Sequence, residues 1–319
     1  MINGTVSPNE MVTSGVPQGS ILGPLLFIMY INTMDRELEG LVSIISKFAD
    51  DTKIGSVVKN QNQVDDMHRA VVKLEDWAKD WLMTYNESKC KVLHFGRLNP
   101  GNVYSLNNTV LERSDKEKDI GVIIHESLKP ADQCTRAAWA ANCALGQMSR
   151  ALHVRDAKTW TKLYTTYIRP YLEYSTPAWS PWARKDIEVL EKVQQRALRQ
   201  ITTLGHLSYH EKLNRLGLTT LEERRMRTDM IQVWKILNNH DDVEEKTWFT
   251  RTSEASTRRT RATEDKSNIK EPQYNTEIRK NFFSVRTCKP WNNIPAEIRN
   301  VPSLISFKTK YDHWKKSAV

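Results

Sequence analysis

The stretch SIISKFADDTKIG, Ser43 to Gly55, sets two adjacent aspartates inside an otherwise apolar, strand-like run. Aspartate is a poor strand former, and an unpaired buried carboxylate costs on the order of several kcal/mol. The pair therefore needs water, a turn or a cation. The alternation predicts two short strands, about Ser43 to Phe48 and Lys53 to Val58, joined by Ala49-Asp50-Asp51-Thr52. Two carboxylates at a hairpin tip are an arrangement that a hard divalent cation uses, with positions left open for water and phosphate. They are equally the residues of an ordinary turn. The hairpin alone leaves both readings open.

Its neighbours narrow the choice of fold. Before the hairpin, TSGVPQGSILGPLLFIMYINTMDREL starts as a Gly/Pro-punctuated loop. From Ser20 it continues as a helix whose Leu22, Leu25, Leu26, Met29 and Tyr30 predict extensive burial. After the hairpin, Val64, Met67, Val71, Leu74, Ala78, Trp81 and Tyr85 recur at steps of three and four, predicting an amphipathic helix from Gln63 to Tyr85. KCKVLHFG then alternates like a strand, YSLNNTVLE holds an Asn-Asn turn, and KDIGVIIHE reads as one more strand. Residues 1–125 are thus expected to form an α+β unit of antiparallel hairpins and helices.

Beyond Pro130 the pattern turns helical. Helices are predicted over Ala131 to Leu152, from an Asp156 cap to Ile168 with Arg169-Pro170 as the stop, over Lys185 to Thr202, and over Leu221 to Asn238. This gives a helical domain over 126–249. Residues 250–268 lack large apolar side chains before Ile269 and read as a flexible basic linker; residues 269–319 regain aromatics and read as a C-terminal strand-turn-helix that docks back. Trp77, Trp81, Trp139 and Trp234, four of the ten tryptophans, sit in apolar helical stripes and are expected in the core.

Charge is unevenly spread. Residues 1–100 hold 10 Lys and Arg against 12 Asp and Glu, whereas residues 101–319 hold 37 against 26. A basic C-terminal part suits a phosphate backbone, and equally suits simple solubility. Arg224, Arg225 and Arg227, with Arg258, Arg259 and Arg261, are the clusters best placed to meet phosphates. The four cysteines, at 90, 134, 143 and 288, form no CxxC pair and read as reduced thiols, which points to an intracellular setting. No apolar run reaches the ~20 residues that a membrane span needs.

The order of these pieces resembles a reverse transcriptase palm. SGVPQGSILGPLLF at 14–27 resembles motif B, FADD at 48–51 motif C, NESK at 86–89 motif D, and HFG at 94–96 the primer-grip motif E. Four motifs in the right order are far more specific than any one. KEKDIGV, LYTTYIRPYLEYSTPAW and FFSVRTCKPWNNIPAEI are similar to segments of Jockey-like non-LTR retrotransposon polymerases. The resemblance implies a partial palm followed by a mainly helical thumb and C-terminal region, and an activity of RNA-directed DNA polymerisation.

The implied roles fall on single residues. Asp50 would be the principal metal-binding carboxylate and Asp51 its neighbour, holding Mg²⁺ (or Mn²⁺). Gln18, Gly19 and Phe48 would meet the incoming dNTP and nascent base pair, Lys89 the leaving pyrophosphate, and Phe95 and Gly96 the primer end. The partners would be an RNA template and a DNA primer, with no membrane and no organic cofactor, in cytoplasm and nucleus. The resemblance also implies a further motif A aspartate ahead of motif B, and MINGTVSPNEMVT contains none. These 319 residues are therefore expected to be an N-terminally truncated polymerase, inactive alone, or else a non-catalytic nucleic-acid-binding derivative of one.

Overall fold

The computed structural model describes residues 15–16, 19–153, 155–255 and 267–317. The chain divides into two compact units. The first runs to Gly121 and takes in His125–Ser127; the second holds Val122–Ile124 and everything from Leu128. The secondary structure is mixed helix and strand.

In the first unit, helix α1 (Gly23–Ile31) starts three residues later than expected, with a proline in its first turn and the Ser20 hydroxyl accepting from the Gly23 amide at 2.9 Å. It is not largely buried. Leu22, Leu25, Leu26 and Met29 are exposed, and within α1 only Gly23 and Ile31 are buried. GPLLFIMYI is apolar all round, so its sequence does not mark an inner face. The side carrying Phe27, Tyr30 and Ile31 packs with α2 (Met34–Glu37) and α3 (Gln61–Asp80) around Met34, Leu38, Ala70 and Trp77.

The α3 amide of Gln63 is capped by the Asn60 side chain at 3.0 Å, supplying one of the acceptors a helix start lacks. The helix stops at Asp80, not Tyr85, because Leu82 adopts φ 52° and turns the chain away. Trp77 is buried as expected, donating to Thr33 Oγ1 at 2.9 Å, but Trp81, just past the helix end, is partly exposed.

Strands β1 (Ile44–Phe48) and β2 (Asp51–Gly55) pair antiparallel, with Ile44 opposite Gly55 and Phe48 opposite Asp51. The strand expected in KCKVLHFG shrinks to β3 (Lys91–Val92), which pairs in parallel with β6 (Glu112–Arg113). Between them β4 (Ser105–Leu106) and β5 (Thr109–Val110) form the expected hairpin, with Asn107 and Asn108 at φ 48° and 64°. Both turn residues left-handed is the geometry that asparagine tolerates and two-residue hairpins favour. KDIGVIIHE makes two strands, not one: β7 (Lys116–Asp119) and β8 (Val122–His125) flank Ile120 and Gly121, both at positive φ.

The second unit is helical. Helices α4 (Ala131–Ala151), α5 (Ala157–Leu163), α6 (Arg169–Glu173), α7 (Thr176–Trp179), α8 (Arg184–Arg199), α9 (Tyr209–Leu216) and α10 (Leu221–Leu237) surround a core that includes Ala137, Ala141, Trp160, Tyr164, Ile168, Leu172, Leu190 and Val193. Asp156 caps α5 as expected, accepting from the Thr159 amide at 2.9 Å. Arg169-Pro170 does not end that helix. Tyr164–Ile168 forms a π-helical segment, and the Arg169 amide donates to the Tyr164 carbonyl five residues back. Pro170, which has no N–H to donate, sits directly after this widened turn, at the second residue of α6.

Among the described residues, the C-terminal tail brings no strand beyond an isolated bridge between Arg251 and Ile269. Phe283, Trp291 and the Phe307 and Tyr311 of α11 (Leu304–Ser317) pack on Met230, Val233 and Trp234 of α10. Trp234 is core as expected, whereas Trp139, on the outer side of α4, is exposed. Among the described residues, no helix is long and apolar enough to cross a membrane.

Candidate active site

Strand pairing brings Phe48, Asp50 and Asp51 together at one exposed tip. The turn is tighter than predicted, because Asp51 and Thr52 belong to β2 and only Ala49 and Asp50 lie outside the ladder. Ala49 carries the reversal at φ 53°. Asp51 is thus fixed opposite Phe48, while Asp50 projects from the turn. Phe48 is itself exposed, so its ring is free to meet a ligand instead of serving the core.

The hairpin is anchored from beneath by a residue that sequence reasoning missed. Lys47, next to Phe48, lies with its ammonium 2.9 Å from an Asp35 carboxylate oxygen. It also donates to the Ile31 carbonyl at 3.1 Å and to Asn32 Oδ1 at 3.3 Å. A cation at the carboxyl end of α1 meets carbonyls that lack intrahelical partners and the negative end of the helix dipole. One side chain therefore ties β1, the strand that leads into the aspartate turn, to the end of α1. Lys47 reads only as an alternating strand position in sequence, since its partners are 12 to 16 residues away. On the other strand Lys53 pairs with Asp119.

Gly19, at φ 79°, has nothing within 4 Å of where a Cβ would lie, so a glycine is required there by the backbone and leaves its surface open. Gln18 lies outside the described residues. Lys89 closes a short 3-10 turn, Glu87–Lys89, and is exposed with no ion pair among the described residues. The Glu87 carboxyl, held by the Asn107 side-chain amide at 2.7 Å, titrates below the usual carboxylate range.

Phe95, in the stretch KCKVLHFG expected to be a strand, is exposed and outside any strand; Gly96 follows at φ 90°. The residue buried at that motif is His94. Its ring lies edge-on to Tyr104 at 6.4 Å, and neither ring nitrogen has a hydrogen-bond partner among the described residues. Burial, reinforced by the Arg113 guanidinium and opposed by Glu126, holds its pKa below the ordinary 6.5. No hydrogen bond or ion pair among the described residues joins Gly19, Lys89, Phe95 or Gly96 to the hairpin tip.

The arginine cluster corrects the sequence reading. Arg225 is only 3% exposed, and Arg224 and Arg227 grip Glu173 and Asp312 with two nitrogens each, the latter at 2.6 and 2.8 Å. Arg224 and Arg227 tie α10 to its neighbours instead of forming a face for phosphates, and Arg225 is buried with no hydrogen-bond partner for either terminal nitrogen among the described residues. The helix period sets 224 and 227, three apart, on one face and turns 225 away from it toward the interior. Arg258, Arg259 and Arg261 lie outside the described residues.

Asp50 and Asp51 offer hard oxygen donors, the type Mg²⁺ and Mn²⁺ take, and Mg²⁺ is commonly held by one or two carboxylates with the rest of its shell from water and phosphate. The donor type fits, although no group of three His, Cys, Asp or Glu side chains among the described residues is arranged to hold a metal.

Residues 2–138 match the family model described as reverse transcriptase (RNA-dependent DNA polymerase). The chain is 26% identical over 215 residues to the RNA-directed DNA polymerase from mobile element jockey of Drosophila funebris, covering 63% of this chain and 23% of that protein. It is 25% identical over 206 residues to the probable RNA-directed DNA polymerase from transposon X-element of Drosophila melanogaster, covering 62% and 22%. A similar polymerase from transposon BS of the same species is 22% identical over 241 residues, covering 70% and 26%. The chain thus spans about a quarter of the length of these relatives. No solved structure matches it significantly. Residues 2–138 are thus similar to the reverse transcriptase family, and the chain to polymerases of Drosophila mobile elements.

Proposed function

We propose that this chain is part of an RNA-directed DNA polymerase of a non-LTR retrotransposon, acting by two-metal nucleotidyl transfer. The observation that carries the reading is the exposed Asp50–Asp51 tip, rigidly paired and anchored through Lys47. Asp50 serves as the principal ligand and Asp51 as its neighbour. Bound Mg²⁺ supplies Lewis acidity toward the primer hydroxyl and the leaving pyrophosphate.

The chain's own residues position the reactants around that tip. Gly19 presents open backbone to the nascent base pair, which Gln18 also contacts, Phe48 faces the dNTP, and Lys89, without an ion pair among the described residues, offers its cation to the pyrophosphate. Phe95 and Gly96 hold the primer end above the buried His94. In this reading residues 1–125 are palm and 126–249 thumb, working on an RNA template in cytoplasm and nucleus.

Two carboxylates leave the metals under-neutralised, so the 319 residues alone do not extend a primer; a further acidic residue has to complete the centre. Primer extension with Mg²⁺ and dNTPs, joined with a Mn²⁺-binding titration, tests both statements. The expected result is no extension but measurable Mn²⁺ binding that Asp50→Asn abolishes. Extension by the isolated chain would overturn the inactivity, and Mn²⁺ binding unchanged in Asp50→Asn would overturn the site.

A further inference from the structure

The outer side of the α5–π–α6 rod carries a row that none of the assignments above uses. Trp160, Tyr164, Ile168 and Leu172 face the core at regular steps of four. On the other side Lys158 and Lys162 are exposed on α5, followed by Tyr167, Tyr171 and Tyr174 at 59%, 49% and 53% exposure. Three large aromatics in water within eight residues are an unusual cost for a helix that already has a complete inner face.

Tyr167 lies inside the π segment, where the Arg169 amide closes a turn of five residues onto the Tyr164 carbonyl. Ordinary steps of four and three then lead to Tyr171 and Tyr174. Such single π turns recur at functional sites.

The acids nearby are engaged. The Asp156 carboxylate accepts from the Thr159 amide, and Glu173 is held by Arg224 and Arg169. Lys158 and Lys162 have no ion pair among the described residues. Residues 128–319 as a whole carry 34 Lys and Arg against 21 Asp and Glu.

We propose that this row, Lys158, Lys162, Tyr167, Tyr171 and Tyr174, is a binding track for a single strand of nucleic acid. The tyrosines stack on successive bases and the lysines meet the phosphates. Aromatic rings stack on any base, so the track holds a strand without reading its sequence. The choice of nucleic acid as occupant follows from the cationic, acid-free row, and it rests also on reading the chain as a polymerase segment.

Fluorescence anisotropy on the full chain with labelled oligo(U), oligo(dT) and a blunt duplex tests the track. Tyr167→Ala and Tyr171→Ala each weaken single-strand binding by about tenfold, with Tyr167→Phe close to wild type. Lys158→Gln with Lys162→Gln lowers the slope of log affinity against log salt by about 1.4. Circular dichroism of each variant reports that the fold is kept. Tyrosine variants that bind single strands like wild type overturn the proposal. So do variants that change only the sedimentation of the chain, which would mark a protein-docking face. Duplex binding without single-strand binding sinks the track and spares the polymerase reading, whereas failure to bind any nucleic acid sinks both.

Discussion

Arg286 clasps the carboxylate of Asp229 through Nε and Nη2, both at 3.0 Å, where Asp229 is 2% exposed. The same guanidinium donates to the Pro177 carbonyl at 2.8 Å, so one side chain joins α7, α10 and the turn Phe283–Arg286. Burial raises the Asp229 pKa while Arg286 opposes that rise, and the pair holds a charge in a place where charges are costly. Removing either partner strands the other. Asp229→Ala is expected to cost the second unit about 3–5 kcal/mol, and Asp229→Leu with Arg286→Met clearly less than the two single changes summed. Urea unfolding followed by tryptophan fluorescence measures all of them.

His94 makes the first unit sensitive to acid. Its folded pKa lies below 6.5, so at mildly acidic pH the unfolded chain binds more protons than the folded one, and stability falls as pH falls through the unfolded value. His94→Phe keeps a ring against Tyr104 and removes the proton site. Its unfolding midpoint is expected to vary less than wild type between about pH 7 and pH 5. Equal slopes in the two proteins would show that His94 is not the titrating group.

Thr220 and Glu223 cap α10 reciprocally: the Glu223 amide donates to Thr220 Oγ1 at 3.2 Å and the Thr220 amide to Glu223 Oε2 at 2.9 Å. Thr220→Ala leaves donors at the start of the helix unpartnered and should cost about 1 kcal/mol, with Thr220→Ser largely neutral. A thermal melt that fails to separate Ala from Ser would contradict this.

Lys47→Met removes three polar contacts beneath the aspartate tip while keeping most of the side-chain volume. Hydrogen bonds to charged groups are worth about 1.5–3 kcal/mol each when partly buried, so local opening of β1–β2 should rise by at least about tenfold. Amide hydrogen exchange across residues 44–55 reads this directly, and Lys47→Arg should recover part of the protection.

Much of this was legible in the sequence, and the rest failed for identifiable reasons. The periodic helices α3, α4, α8 and α10 and the Asn107–Asn108 turn were readable because each is fixed by contacts close along the chain. Within the site, the adjacency of Asp50 and Asp51 and their hairpin setting were visible for the same reason. Exposure was not. Leu25, Met29 and Trp139 look like core residues in one dimension, and only the packed structure decides which side of a helix finds a partner. Arg224, Arg225 and Arg227 look like a basic patch until Glu173 and Asp312, 51 and 85 residues away, appear beside two of them. Lys47 was missed because its partners Asp35 and Asn32 become neighbours only when β1 lies against α1.

The five residues Tyr164–Ile168 act as an angular setting for everything that follows them. Deleting any one would return the rod to 3.6 residues per turn and swing α6 by about 100° about the helix axis. Leu172 would leave the core, Glu173 would lose its alignment with Arg224, and the exposed tyrosines would rotate inward. Side chains here tolerate exchange far better than the count of residues does. A single-codon deletion in this segment should therefore be more damaging than most substitutions within it.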